Sequence, residues 1–442
     1  MYKTVRNIWQ AAGWKGNTQF WVDAILLGLC FPFFLFPSRE PSLTAALLIA
    51  WAIRWLYDAF WNLQPLNSPF SLLVVLLVGW SMIGMLVTAD PDLTLDKALG
   101  ILLGVAVWRT IVLHFKNKSS LVILLAAFIT LGTAFVAIGF LAVDWLDKIP
   151  AISAIVSLFP QQIISFSAIG SGNGVQPNQL AGTILWVFPV SMLSGIALWQ
   201  GEKRPLSLSV LFLSLILIGI LVLSQSRGGW LGGLSALGMG LWLATFGLPA
   251  SHWAKPGRFL LPISICVAGG IFAMIAGPSE VVNLWIDPPD ASLVGDLGTL
   301  SFRQEVWTWS IQAIQDFSFT GTGLGTFRRV AHRLYPIAIP ITYDIAHAHN
   351  IFLQVALDVG IPGLIFYLGL IGLFFYNGIQ MLVNNPRAKT VVIGLLMAQI
   401  GFHFYGLVDA VALGAKPAVL FWMLLGLMHV VSVIEWDDEP SS

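Results

Sequence analysis

The stretch AHAHNIFLQVALDVGIPGL, residues 346–364, sets two imidazoles, His347 and His349, and the amide of Asn350 at the mouth of a long apolar run. A helix beginning at about Asn350 leaves its first four N–H groups without intrahelical partners, so the end is partly positive; Asn350 can cap it and an anion can use it. A neutral imidazole there is suited to take a proton, because the helix dipole and nearby cations disfavour its charged form. His349 is the candidate base. His347 reads first as an amphipathic ring tolerated at a membrane interface and second as a site residue.

Two arginines could supply positive charge to such a base. Arg227 in SQSRGGWLGG ends a hydrophobic run with no acidic neighbour in sequence, and its planar fork fits phosphate oxygens. The competing account is that it snorkels to the interface while the following glycines serve close helix packing. Arg303 in SFRQEVWTWSIQAIQDF is similar, although Glu305 or Asp316 could occupy it. Arg328 is a secondary candidate among the few further cations of that region, with Arg329 and Arg333.

Other polar positions read as structural. In QPNQLAG, Asn178 follows Pro177 as an expected N-cap, with substrate contact as its second reading. GTGLGTF, residues 321–327, has glycine spacing faintly like a dinucleotide fingerprint, but no strand precedes it, so a tight turn is expected. Asp358 falls nine residues past His349, about 180° round a helix, and is expected to be structural. Asp409 and Lys416 bracket a short turn and are expected to be solvated or paired with each other. No HExxH, CxxC, GxSxG or phosphate loop is present, so the chemistry is expected to need neither metal nor cofactor. Cys30 and Cys266 sit in apolar runs and support no disulfide framework.

The elements that position these groups follow from composition. Of 442 residues, 57% are hydrophobic and only 10% charged, which places the chain among integral membrane proteins. Apolar runs long enough to cross the bilayer as helices recur, without the alternation of a barrel. The expected fold is an all-α bundle of about twelve crossings, over residues 21–37, 42–58, 70–88, 95–114, 120–143, 179–199, 205–223, 228–248, 258–277, 350–380, 388–408 and 417–434.

Basic residues such as Lys3, Arg6, Lys203, Arg204, Arg387 and Lys389 share one parity of the loops, which puts the N-terminus on the cytoplasmic side. The resulting organisation is a cytoplasmic segment 1–20, nine crossings in 21–277, an extracytoplasmic subdomain 278–349, three crossings in 350–434 and an acidic cytoplasmic tail 435–442. Within the subdomain, Phe302, Val306, Trp309 and Ala313 have helical spacing behind Ser301 as an expected N-cap, so a short amphipathic helix near the headgroups is expected. Zero net charge with scattered basic groups argues against a nucleic-acid partner.

Taken in order, SQSRGGWLG, FRQEVWTWSIQAIQDFSFTGTGLGTF and AHAHNIFLQVALDVGIPGLIFYL resemble the bacterial O-antigen ligase and polymerase superfamily. The likeness is greatest to its cyanobacterial branch, whose members are often labelled inorganic-carbon or bicarbonate transporters. It covers residues 176–415 well and the first five helices by hydropathy alone. The resemblance implies an inner-membrane glycosyltransferase that moves a glycan from an undecaprenyl-diphosphate carrier to an acceptor hydroxyl on the periplasmic side. It also implies that His349 serves as base while Arg227 and Arg303 hold the diphosphate. Transport of bicarbonate, or an accessory role in it, is the alternative; a carrier should show midplane ionisable pairs or two matching halves, and the sequence shows neither. A catalytically silent partner in polysaccharide export is the third.

Overall fold

The computed structural model describes residues 11–436 apart from 12, 15–16, 36–39, 58–67, 144–151, 153–156, 159–175, 246–299 and 342. Regular structure among the described residues is helical, without strands. The chain runs through α1 (Thr18–Leu35), α2 (Pro41–Tyr57), α3 (Ser71–Gly84), α4 (Pro91–His114), α5 (Lys118–Ala142), α6 (Pro177–Gln200), α7 (Arg204–Leu223) and α8 (Arg227–Thr245). It continues through α9 (Leu300–Asp316), α10 (Phe327–Leu334), α11 (Ile351–Asn384), α12 (Lys389–Tyr405) and α13 (Val419–Val433). Proline in the first turn opens α4, α6 and α7, where the missing N–H has no intrahelical bond to lose.

Among the described residues, seven helices are long and apolar enough to cross a membrane: α4 to α7, α11, and the stretches Pro386–Tyr405 and Lys416–Val433 that contain α12 and α13. Three shorter apolar helices lie at Thr18–Phe33, Ser42–Tyr57 and Ser71–Gly84. The chain is a multi-pass helical membrane protein. Its large outward side chains, such as Leu72, Val75, Phe212, Leu215, Ile365 and Val383, suit contact with lipid tails. The expected crossing at 258–277 lies outside the described residues, as does the first part of the expected subdomain.

Helix α6 is central, packing on α7, α12 and α5, while α8 packs along α12, α13 on α4, and α11 on α3. Close approach rests on small residues, as it must where lipid supplies no hydrophobic contrast. A Cβ at Gly232 of α8 would meet the backbone carbonyl of Gly401 in α12, and one at Gly104 of α4 would meet the Trp422 indole of α13. Where side chains are large they stack, as Trp186 of α6 does on Phe402 of α12 at 4.0 Å between centroids.

Two expectations are corrected here. Ser301 is not a cap: α9 begins at Leu300, so Ser301 lies within the helix. The run after Asn350 is not one straight helix, because Gly360 has φ +71° and breaks α11 into 351–359 and 361–384. Ile361 N–H donates outside the helix to the Ser318 carbonyl at 2.8 Å, and Pro362 follows two residues after the break. At about 1.5 Å per residue, 361–384 alone can cross the roughly 30 Å hydrocarbon core. The preceding segment is thus free to act as a short, separate platform for the histidines.

Helices α9 and α10 share a small core of their own with that platform, through Phe302, Val306, Phe327, Ala331, Ala348 and Leu357. The glycine-rich stretch is a tight turn, as expected: Gly321, Gly323 and Gly325 all have positive φ.

Candidate active site

The site gathers on the turn that follows α12. Four consecutive residues there each hold a different part of the 300–351 region. Gly406 accepts the Ile351 N–H at 2.7 Å, and Leu407 accepts the Asn350 side-chain amide at 3.0 Å. Val408 accepts Nε of Arg303 at 2.8 Å. The Asp409 carboxylate lies 3.6 Å from Nδ1 of His349 and 3.7 Å from Nε2 of His347.

Asn350 caps α11 as expected, its side chain accepting from Phe352 and Leu353 N–H. With Ile351 N–H bonded to Gly406 and Gln354 N–H to the Asn350 carbonyl, the first-turn amides are all satisfied. The helix end therefore offers the histidines its dipole rather than open donors. His349 itself has φ +48°, a region sparsely used by residues other than glycine, although His visits it more than most. Its carbonyl accepts the Trp307 indole at 3.3 Å, and the Phe302 ring meets its imidazole edge-on at 5.4 Å. His349 is thus held from two sides: by α9, and by Asp409 on the turn after α12.

Asp409 was expected to be solvated or paired with Lys416, and it is neither. It is 1% exposed and faces the two imidazoles. Burial pushes its carboxyl up, yet the adjoining His349 and His347 hold it well below the ordinary carboxylate range. The signal was legible in principle, since an acid directly after a long apolar helix needs a partner. Burial and the neighbouring His349 push the His347 imidazole down to about 3 against the opposing pull of Asp409. His349 N–H donates to Nδ1 of His347 at 3.2 Å, which places the ring proton of neutral His347 on Nε2, toward Asp409.

Asp409 faces Nδ1 of His349 at 3.6 Å, so a proton on that nitrogen would leave Nε2 as the acceptor. This is the arrangement a general base needs. Its neighbour is the carboxylate, where the sequence suggested only the dipole and cations.

Arg227 is the first residue of α8, exposed at its end. A Cβ on the adjacent Gly228 would touch Val408 and Tyr405, so Arg227 stands beside the same turn. Tyr405, missed by sequence reasoning, has a fully buried hydroxyl without a hydrogen-bond partner, within electrostatic range of Asp409 and Arg303.

Asn178 does not cap α6, which starts at Pro177 behind Gln176. It is half-buried, and one turn on Gly182 packs on Tyr405 and Val411, so it belongs to the same end of the bundle. Arg328 is held by Asp344 at 3.2 Å and lies within electrostatic range of His347.

Asp358 is structural. Its Oδ1 accepts Gly325 N–H and the Gln354 side chain, both at 2.8 Å, while Gln354 Oε1 accepts Ala348 N–H at 2.8 Å. The glycine turn, the short helix and the histidine loop are thereby tied together.

Residues 212–368 match the family model described as O-antigen ligase. Over this segment the chain is similar to the O-antigen ligase family. The O-antigen ligase match contains Arg227, Arg303, Arg328, His347, His349 and Asn350, whereas Asn178 and Asp409 lie outside it. No curated protein matches the chain. The multi-pass helical fold is in keeping with that likeness.

Proposed function

We propose that the chain transfers a glycan from an undecaprenyl-diphosphate donor to an acceptor hydroxyl at the periplasmic face of the inner membrane, with both termini cytoplasmic. The supporting observation is the convergence on residues 406–409 of Arg303, of the His349–Asp409 pair and, through Gly228, of the α8 end that carries Arg227.

The acceptor hydroxyl gives its proton to Nε2 of His349 as its oxygen bonds to the anomeric carbon. The bond from that carbon to the diphosphate breaks on the opposite face, inverting the centre, and the electron pair leaves with the lipid diphosphate. Arg227 and Arg303 compensate the charge that develops there. Asp409 orients His349 and stabilises the imidazolium that forms. No metal is needed for any of these steps.

Glycan transfer from a lipid-diphosphate donor, measured with purified protein, tests the assignment. His349→Ala and Asp409→Asn are expected to lower the rate about 10²–10⁴-fold, the usual contribution of a positioned base. Arg227→Ala and Arg303→Ala are expected to lower it about 10²–10³-fold. Undiminished transfer by the four variants would overturn it. Uptake of labelled bicarbonate into proteoliposomes of the same preparation, without glycan turnover, would move the chain to a transport role.

A further inference from the structure

The His347, His349 and Asp409 side chains present three buried atoms that make no hydrogen bond: Nε2 of His347, Nδ1 of His349 and Oδ2 of Asp409. Unmade hydrogen bonds are costly in a buried setting, and each such group calls for an explanation. One ligand atom from each residue can be chosen so that all lie within 4.8 Å of one another. The two ring nitrogens lie 3.6 and 3.7 Å from the other Asp409 oxygen, Oδ1, too far for hydrogen bonds. These separations are close to the edge of about 3.4 Å that a tetrahedral ion with bonds of about 2.0–2.2 Å requires.

We propose that these three side chains bind a divalent transition-metal ion of the zinc class, with a fourth position open, and that occupancy shuts off transfer. Two imidazoles and one carboxylate suit zinc, cobalt or nickel, whereas magnesium and calcium prefer all-oxygen sites. The outer partners that orient metal ligands are present. Ala410 N–H donates to Oδ1 of Asp409 at 2.8 Å, the Trp307 indole holds the His349 carbonyl, and the two imidazole centroids are already 4.2 Å apart.

Two features oppose binding, and neither is prohibitive. Occupancy of Nε2 in His347 moves its proton to Nδ1 and breaks the long bond from His349 N–H. Arg328 and Lys97 lie within electrostatic range of His347, but Asp344 pairs with Arg328 and Asp358 faces Lys97.

The site rests on its own geometry, while its effect on transfer rests on the role assigned to His349. A metal on Nδ1 leaves the proton on Nε2, where it blocks acceptance from the acceptor hydroxyl, and it also withdraws Asp409 from the imidazole.

The test uses the full chain purified in detergent and titrated with cobalt(II), then with zinc as competitor. The expected result is one equivalent of cobalt with a tetrahedral absorption band that zinc displaces. His347→Ala, its more conservative counterpart His347→Gln, and Asp409→Asn should each weaken binding by at least about tenfold, while His332→Ala, on α10, should not. Size-exclusion profiles show whether each variant is folded, and the wild-type titration stands without them. Absence of stoichiometric binding to the wild type, or binding unchanged in folded variants, overturns the site. Zinc added to the transfer assay separates the two ideas: bound zinc with undiminished transfer refutes the base assignment and leaves the site, whereas wild-type protein that binds no metal while His349→Ala abolishes transfer does the reverse.

Discussion

At the residue scale, the features that matter are ones a folded chain tolerates only with compensation. His349 adopts a left-handed backbone and Asp409 is a carboxylate withdrawn from water, and each is held by the other's element. Backbone strain of this kind, of order 1–3 kcal/mol, persists where the surroundings over-determine it and clusters at functional sites. A more exposed pair makes a contrast. Asp90 caps α4 and accepts Nε of Arg329 at 2.9 Å, and that hydrogen bond, with the Leu93 N–H, lowers its carboxyl from the ordinary value.

Because the folded state holds the Asp90 proton less tightly than the unfolded state, the stabilisation is present above the usual carboxylate range and is lost as pH falls through the folded value. The Arg329 side chain is half exposed, so the pair is worth under about 1 kcal/mol. Asp90→Asn, which keeps an acceptor for the cap, is expected to lower the melting temperature in detergent slightly at pH 7, with the gap from the wild type closing as pH falls below the ordinary carboxylate range. A gap unchanged with pH would refute the account.

At the element scale, the break at Gly360 is what makes 351–359 a platform. A Cβ there would run into the Phe319 carbonyl, and the positive φ would strain any side chain. Gly360→Ala is therefore expected to destabilise the protein by about 1–3 kcal/mol, seen as a lower melting temperature. Gly372→Ala, lower on the same helix where nothing lies within 4 Å, should be neutral or slightly stabilising. If both behave alike, the break at Gly360 is not a constraint. In the GTGLGTF turn, a Cβ on Gly321 would meet the Leu357 carbonyl, so the glycines let this turn dock on the platform.

At the scale of the whole molecule, the site depends on how closely α6, α8 and α12 approach at one end of the bundle. Gly182, Gly228 and Gly232 all face Tyr405, from α6 and α8, and that contact sets Arg227 beside the 406–409 turn. Gly232→Leu is expected to force α8 from α12 at a cost of about 1–3 kcal/mol or more, reducing folded yield and glycan transfer together. Gly219→Leu on α7, where nothing lies within 4 Å, should leave both unchanged. Transfer at wild-type level in folded Gly232→Leu protein would show that the spacing of the two helices is not what positions Arg227.

The amino-acid sequence by itself determined the helices, because hydropathy over spans of about twenty residues is a local property: α4, α5, α6 and α7 begin and end within a few residues of the expected runs. It also determined Asn350 as a cap and the glycine turn at 321–327, and it offered His349, Arg227 and Arg303 as candidate site residues. Only the tertiary structure decided that Asp409 belongs with them and that His347 faces the same carboxylate. Asp409 lies sixty residues beyond His349 in sequence, beyond the reach of periodicity, and its partner is set by which helix ends meet. Gly360 likewise read as one more residue of an apolar run, since the break arises from contact with Ser318 and Phe319, and contacts between distant segments exist only once the chain has packed.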